Sequence, residues 1–315
     1  MENKITKVLW EGNDYLRIKE IEKKFDRIKF FDITVKKELN DALDGEIFLV
    51  TPTSDGKSLK SFLDQGLKWV HCMGHGVDHL PLKKLNGCVI TCSRGTSSGP
   101  IAEWIMAMIL TSSKDLPNSW VSKKPKHWFL TPLKPLSGAT IALLGFGSIN
   151  QEVARRLEPF GSRILALSRT QEKSSLPFVE TVSTVEEAVS EADHIVVAMP
   201  LTDSTYHFLN ADSMKLFKPG AHLINVARGD IVDQKALFNC LESGQLKRAS
   251  LDVVSPEPLP QNHWLYTHPQ VMLSPHISWS DPNYIEYLHK FFLTNLEKWL
   301  LKEPLEGLVS RKVGY

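Results

Sequence analysis

Cysteine is scarce in this sequence, and the few residues present lack the spacing of a disulfide framework. The chain has 315 residues, and its cysteines are Cys72, Cys88, Cys92 and Cys240. Cys88 and Cys92 have no second pair at zinc-ligand spacing, so no metal site is predicted. We therefore expect four reduced thiols, as is typical of a cytoplasmic protein.

Long apolar runs and an excess of charge of one sign are also lacking. The longest apolar stretch, near Ile101, is interrupted by Glu103 and is far shorter than the roughly 20 residues that span a bilayer. The first residues, Met1 to Lys4, do not resemble a secretory signal. With 37 basic and 36 acidic residues the formal net charge is +1. Neither a membrane nor a nucleic acid is therefore predicted as a partner.

Short β-branched runs alternate with amphipathic helical patterns along the chain, which indicates parallel sheets with crossover helices. One such helical pattern covers Lys57–Gln65, and Thr184 to Glu187 predict a capping box that opens a helix running to Glu191. Five strands are predicted in the first part, at Lys7–Trp10, Ile28–Ile33, Glu46–Thr51, Leu67–Cys72 and Val89–Cys92. Six more are predicted at Thr140–Leu144, Ile164–Ser168, His194–Ala198, His222–Val226, Ala249–Val253 and Val271–Leu273. The length also predicts two domains.

The predicted fold class is α/β, with two doubly wound domains. The first five strands predict a flavodoxin-like substrate domain, and the next six predict a Rossmann-type nucleotide-binding domain over residues 100–282. A long apolar helix predicted at Ile285–Leu301 would return the chain to the first domain, which then comprises residues 1–99 and 283–315. Between the two series, a proline-rich arm from Leu116 to Ser137 carries Trp120 and Trp128. The arm either covers a cleft or a partner subunit, or is a poorly ordered connection.

A glycine turn follows the first strand of the second series. Gly145 would permit a tight turn, and Gly147 would let backbone amides approach a pyrophosphate at the helix N-terminus. The third glycine of the usual pattern is replaced by Asn150. The predicted cofactor contacts of this turn are Gly145, Phe146, Gly147, Ser148 and Ile149.

The end of the next strand predicts which cofactor is bound. A site for NAD(H) needs a carboxylate there for the adenosine ribose, but the sequence has Ser168, Arg169 and Thr170. Arg169 can form charge-assisted bonds to a 2′-phosphate, and the two hydroxyls can add donors. NADP(H) is therefore predicted in preference to NAD(H), which stays possible. In the alternative interpretation Arg169 only stacks on the adenine.

Several motifs in order along the chain resemble those of the D-isomer-specific 2-hydroxyacid dehydrogenases. Besides the glycine turn, they are Gly74-His75-Gly76-Val77-Asp78-His79, Pro200-Leu201-Thr202, Asn225-Val226-Ala227-Arg228-Gly229, Leu251-Asp252-Val253, Glu257-Pro258-Leu259-Pro260 and Ser274-Pro275-His276-Ile277. The resemblance covers nearly the whole chain. The stretch Ser168–Thr170 looks like that of the NADPH-preferring glyoxylate/hydroxypyruvate reductases.

The resemblance implies a catalytic set. His276 would be the general acid and base, Glu257 would orient its ring and favour the protonated form, and Arg228 would hold the substrate carboxylate and polarise the ketone. The loop of Gly74, His75, Gly76 and Val77 would receive the carboxylate through backbone amides. Further cofactor contacts are expected at Pro200, Thr205, Ala227 and Asp252.

The function that follows is NADPH-dependent reduction of a small 2-oxoacid, such as glyoxylate or hydroxypyruvate, to the D-2-hydroxy acid, by a cytoplasmic homodimer. One alternative is a bulkier aryl or branched 2-oxoacid; another is a non-catalytic, dinucleotide-sensing corepressor. Trp279 stands three residues past His276, where the family often has a small residue. It would either narrow the pocket or lie outside it.

Overall fold

The computed structural model describes residues 5–11, 17–39, 41–42, 44–51, 58–63, 65–128, 133–168 and 174–315. The chain separates into two compact units, one formed by Met1–Thr96 with Pro282–Tyr315 and the other by Ser97–Asp281. The assignment of substrate binding to residues 1–99 with 283–315, and of nucleotide binding to residues 100–282, stays a prediction.

The first unit is built on a five-stranded parallel sheet. Its strands lie in the order β2-β1-β3-β4-β5, which is the flavodoxin-like order. The elements are β1 (Thr6–Trp10), α1 (Ile18–Lys24), β2 (Ile28–Asp32), α2 (Lys36–Leu39), β3 (Ile47–Val50), β4 (Trp69–Cys72), β5 (Val89–Cys92) and the C-terminal α8 (Tyr284–Leu301).

Helix α8 covers one face of this sheet because its apolar residues recur at helical spacing. Leu288, Phe292 and Leu296 are fully buried against the sheet. The Trp69 ring of β4 stacks on Phe292 at 5.8 Å and on Trp299 at 5.4 Å. The residues after Asp281 therefore complete the core of the unit that begins the chain.

The helix predicted over Lys57–Gln65 is wrong. The described part of this segment forms a 3-10 helix at Ser58–Phe62, whereas Lys57 and Asp64 lie outside the described residues. Leu59 and Phe62 are its two buried side chains, and a spacing of three residues aligns side chains on a 3-10 helix.

The second unit is built on a seven-stranded parallel sheet in the order β12-β11-β10-β9-β6-β7-β8. Its elements are α3 (Ser98–Ser113), β6 (Thr140–Leu144), α4 (Ser148–Leu157), β7 (Arg163–Leu167), β8 (Val179–Val182), α5 (Val185–Val189), β9 (His194–Val197), α6 (Ala211–Met214), β10 (Ala221–Asn225), α7 (Gln234–Glu242), β11 (Leu246–Leu251) and β12 (Val271–Leu273). The strand order reverses between β6 and β9, and ligands of doubly wound sheets bind at such a point.

The sequence reasoning missed the edge strand β8. Its four residues, Val179–Val182, include one buried side chain, and a short, half-polar edge strand has little apolar signal. The helix start predicted at Thr184 is confirmed: Thr184 accepts from the Glu187 amide, and the Glu187 carboxylate accepts in return from the Thr184 amide.

Of the arm, residues 116–128 and 133–137 are described. Trp120 and Trp128 are 70% and 60% exposed, so the part of the chain that the structure describes leaves both indoles largely uncovered. All four cysteines carry free thiols. Among the helices of the described residues, none combines the length and apolar composition needed to cross a bilayer.

Three histidines are buried in the two sheets. In the first unit His71 bonds Thr91 Oγ1 at 2.7 Å and Ser93 Oγ at 3.3 Å. In the second, the Nδ1 atoms of His194 and His222 lie 3.0 Å apart. Burial lowers the pKa of His71 to about 3 and that of His194 to about 4, and it holds the pKa of His222 well below its usual value.

These buried imidazoles predict a loss of stability in mild acid. Below about pH 6.5 the unfolded chain binds protons that the folded chain excludes, so the free energy of unfolding falls as the pH drops towards 4. His71 alone accounts for roughly 3 kcal/mol at pH 4. We expect the urea midpoint, followed by tryptophan fluorescence, to decrease between pH 7 and pH 4.5.

His71→Asn should flatten this pH dependence of the urea midpoint. His127→Asn, at an exposed position, is the control. An equal pH dependence in all three proteins would contradict the prediction.

Candidate active site

The predicted catalytic residues stand in loops that leave the carboxyl ends of parallel strands in the second unit. Arg228 follows β10, Asp252 and Glu257 follow β11, and His276 follows β12. Because β10, β11 and β12 are neighbours in the sheet, their loops lie side by side. The strand order thus gathers residues that are up to 48 positions apart in the sequence.

His276 and Glu257 form a hydrogen-bonded pair. The His276 Nδ1 atom lies 2.9 Å from Glu257 Oε2, and the other carboxylate oxygen accepts the Val254 amide at 3.0 Å. Partial burial works to raise the pKa of the Glu257 carboxyl, but these hydrogen bonds and the charges of His276 and Arg228 outweigh it, and the pKa is lowered. The carboxylate therefore stays ionised and holds the proton on Nδ1, which leaves Nε2 for chemistry.

Arg228 is held by its own loop. Its Nη1 atom donates to Ala227 O at 2.7 Å, and its backbone carbonyl accepts from Asn225 Nδ2 at 2.9 Å. The Asn225 Oδ1 atom accepts in turn from the Ala227 amide at 3.0 Å. Asn225 was not among the predicted site residues, although a polar residue ending the fully buried strand β10 was a usable signal.

Gly229 lets the Arg228 loop pack directly on the loop that leads to Glu257. A Cβ atom at this glycine would lie 2.0 Å from Val254 C and 2.4 Å from Ser255 N. Gln234, at the start of α7, donates to Ser255 O in the same loop. Arg228 and Glu257 are thus brought together by backbone contact, which a larger residue at 229 would prevent.

Asp252 anchors the loop that carries His276. Its Oδ1 atom accepts from Ser274 Oγ at 2.5 Å and from the Ile277 amide at 2.8 Å, and Oδ2 accepts from the Ser278 amide at 2.9 Å. The residue is 1% exposed. The structure thus gives this carboxylate a positioning role that the sequence did not reveal, whereas its contact with a nicotinamide stays a prediction.

The glycine turn has the shape predicted for a phosphate site. Gly145 has a φ of +83°, and an added Cβ would lie 3.0 Å from the Met199 backbone. A Cβ on Gly147 would meet nothing within 4 Å, so the space before the N-terminus of α4 is open. The first turn of α4 has no acidic residue to repel a phosphate. Phe146 and Ile149 pack against the core, and Ser148 begins the helix.

Asn150 replaces the third glycine without loss of helix–strand contact. Its side chain is fully buried, and Nδ2 donates to Gly145 O at 2.5 Å and to Leu144 O at 3.4 Å. The side-chain amide of Asn150 therefore bonds α4 to the end of β6. A glycine at this position would allow the helix to approach the strand end but would form no such bond.

The remaining predicted cofactor residues are placed in part. Ser168 comes directly after β7, whereas Arg169 and Thr170 lie outside the described residues. Thr205 Oγ1 donates to Pro200 O at 2.7 Å and accepts from the Thr202 amide at 2.8 Å. Thr205 therefore closes the turn that begins at Pro200.

The predicted substrate loop belongs to the first unit and follows β4. His75 Nε2 lies 3.0 Å from Thr96 Oγ1, and Gly74 O accepts from the Ser93 amide at 3.1 Å. Val77 is buried in the core, and Gly76 O lies 3.6 Å from the Cys72 thiol. The loop is thus held by residues around β5, and His75 has a partner within its own unit.

The second unit therefore combines an oriented imidazole, a guanidinium and an open helix N-terminus at one edge of its sheet. An imidazole with its Nδ1 proton fixed by a carboxylate can donate or accept a proton at Nε2. A guanidinium can hold a carboxylate. Among the described residues, no cluster of His, Cys, Asp and Glu suited to a metal ion occurs.

Comparison with known proteins shows which family the chain resembles. Residues 106–278 match the model of the family described as D-isomer specific 2-hydroxyacid dehydrogenase, NAD binding domain. Over 283 residues the chain is 34% identical to the glyoxylate reductase/hydroxypyruvate reductase of Homo sapiens, covering 85% of each protein. Over 219 residues it is 33% identical to the hydroxypyruvate reductase of Thermotoga maritima, covering 68% of this chain and 71% of the relative.

The fold is similar to that of a solved enzyme from Sinorhizobium meliloti, an NADPH-dependent glyoxylate/hydroxypyruvate reductase in complex with NADP and sulfate. The two structures agree with a TM-score of 0.83 at 23% identity, over 98% of this chain and 100% of the other.

Proposed function

Because this chain belongs to the D-isomer-specific 2-hydroxyacid dehydrogenases, we propose that it reduces a small 2-oxoacid to the D-2-hydroxy acid with NADPH. Membership makes it an oxidoreductase with an NAD-binding domain. The His276–Glu257 pair, with Arg228 close enough to lower the pKa of Glu257, carries the proposal. The names of the human and Thermotoga relatives support glyoxylate and hydroxypyruvate as substrates.

The chain's own groups have three tasks in this reaction. His276 gives its Nε2 proton to the ketone oxygen, because Glu257 keeps the other ring nitrogen protonated. Arg228 binds the carboxylate and stabilises the charge that develops on the ketone oxygen. We also propose that Gly74, His75, Gly76 and Val77 bind substrate through their backbone amides. A bound nicotinamide cofactor supplies the hydride.

The residues around Gly145 fit such a cofactor. The open space before Gly147 and the amides that start α4 would hold the pyrophosphate, as the geometry of the turn allows. Further contacts are proposed at Pro200, Thr205, Ala227 and Asp252. Ser168, Arg169 and Thr170 would bind the 2′-phosphate, and this assignment depends on the sequence. The homodimer predicted above also stays a proposal, supported by the exposed indoles of the arm.

The first test is the initial rate of NADPH oxidation with glyoxylate, hydroxypyruvate, pyruvate and phenylpyruvate, repeated with NADH. We expect turnover of the small acids and a clear preference for NADPH. A preference for phenylpyruvate would keep the reaction and replace the substrate with a bulkier acid. Tight cofactor binding without turnover of any acid would favour the dinucleotide-sensing alternative.

The variant Arg169→Ala tests whether Arg169 sets the preference for NADPH over NADH. Loss of charge-assisted bonds to the 2′-phosphate should raise the KM for NADPH about 10- to 100-fold and change that for NADH little. Arg163→Ala is the matched control, because Arg163 is the first residue of β7 and is paired with Glu180 and Glu191. An unchanged ratio of the two KM values would leave Arg169 without the assigned role.

A further inference from the structure

We propose that Trp279 is a positioning residue for proton transfer: its indole N–H holds the backbone carbonyl of His276 and thereby fixes the direction of the imidazole. The inference rests on the proposed function, since it concerns the proton donor of that reaction. Trp279 is not part of the predicted catalytic set. Its role emerges from the shape of the loop between β12 and α8.

The backbone of His276 adopts an unfavourable conformation. Its φ is +55°, in the left-handed region, which is unfavourable for a residue with a Cβ. Such a conformation persists where the surroundings over-determine it, and it is concentrated at functional sites. The direction in which the side chain leaves the backbone therefore depends on the contacts that hold this residue.

The amide side of His276 is held by Asp252. The His276 amide donates to Asp252 O at 2.8 Å, and the next two amides donate to the Asp252 carboxylate at 2.8 and 2.9 Å. These bonds fix three successive peptide N–H groups. Because the Ile277 amide and the His276 carbonyl belong to one planar peptide, Asp252 holds this peptide from its N–H side.

The carbonyl side is held by Trp279. Its Nε1 atom donates to His276 O at 2.7 Å, a short bond between residues three positions apart. The indole is partly buried and packs against the hydrophobic cluster that contains Ile105 and Val226. Trp279 thus connects the His276 carbonyl to the rigid core of the unit.

Loss of the indole donor would remove one of the two hydrogen bonds that hold this peptide, while the bond of its N–H to Asp252 would remain. A tilt of the peptide about its bond to Asp252 would then change the backbone angles of His276 and move the imidazole relative to Glu257 Oε2, now 2.9 Å away. Proton transfer needs the donor within hydrogen-bond reach of its target, and a displacement of about 1 Å can lower a rate 10²-fold. The nitrogen of Trp279, rather than its apolar ring alone, is therefore assigned to positioning.

The test compares Trp279→Phe with wild type and with Trp104→Phe, which removes an indole from the same cluster on the α3 side. Loss of one hydrogen bond should lower kcat of Trp279→Phe about 5- to 10-fold, leave the Kd of NADPH unchanged and shift the pH profile of kcat. Trp104→Phe should match wild type in kcat and pH profile. Equal losses in both variants, or an unchanged kcat and profile in Trp279→Phe, would overturn the assignment.

A second variant keeps the test decisive if Trp279→Phe does not fold. Benzothienylalanine at position 279 retains the two-ring shape and replaces only the N–H by sulfur, and it should reproduce the loss of kcat. The NMR titration of His276, assigned with His276→Ala, supplies a readout that needs no turnover. A shifted titration in the sulfur variant supports positioning even if no tested acid is a substrate, and a titration identical to wild type contradicts it.

Discussion

Replacing His276 by alanine is expected to lower kcat for 2-oxoacid reduction about 10²–10⁴-fold, because the variant lacks the group that protonates the ketone oxygen. The imidazole is oriented for this step through the 2.9 Å contact of Nδ1 with Glu257. The Kd of NADPH should change by no more than about twofold, since the predicted phosphate contacts lie at the glycine turn. Steady-state rates and fluorescence titration with NADPH measure the two quantities.

A second His–Glu pair offers the control. His268 Nε2 lies 3.3 Å from Glu242 Oε1, between α7 and the segment before β12. His268→Ala removes the same chemical pairing away from the proposed proton donor, so kcat should stay near wild type even if Tm falls. Wild-type turnover in His276→Ala would remove the proton donor from the proposed reaction.

Replacing Arg228 should lower activity by a similar factor, and the expected change is in kcat/KM for the 2-oxoacid. In Arg228→Ala we expect kcat/KM for the 2-oxoacid to fall about 10²–10³-fold, because a fixed donor to the developing oxyanion is removed. Arg228→Lys should recover little, since a lysine ammonium cannot reproduce the planar fork that binds a carboxylate through two bonds. The KM for NADPH should change little in both variants.

Arg248→Lys is the matched control for this series. Arg248 is a buried arginine of β11 that pairs with Asp115 at 3.1 Å, apart from the loops at the carboxyl ends of the strands. Its replacement should lower Tm and leave kcat/KM of the folded enzyme nearly unchanged. Arg228→Lys with kcat/KM close to wild type would show that charge alone is needed at this position.

Much of the fold could be predicted from the sequence because each sheet is parallel and largely buried. Continuous apolar runs such as Ile47–Val50 and Ile141–Leu144 mark central strands, and the structure places them there. The errors came from segments with weak periodicity. Val179–Val182 is a short, half-polar edge strand, and Ser58–Phe62 has two buried side chains that suit a 3-10 helix.

The sequence by itself determined the two doubly wound sheets, the family, and the residue types that stand at the strand ends. These follow from local periodicity and from motifs in which each residue is close to the next. Only the tertiary structure showed how the site is held together. Asp252 anchors Ser278, Gly229 admits the Val254 backbone, and Asn150 bonds the strand end before it. The physical reason is that hydrogen bonds and close backbone approaches depend on which strands become neighbours, and a sequence pattern does not contain those distances.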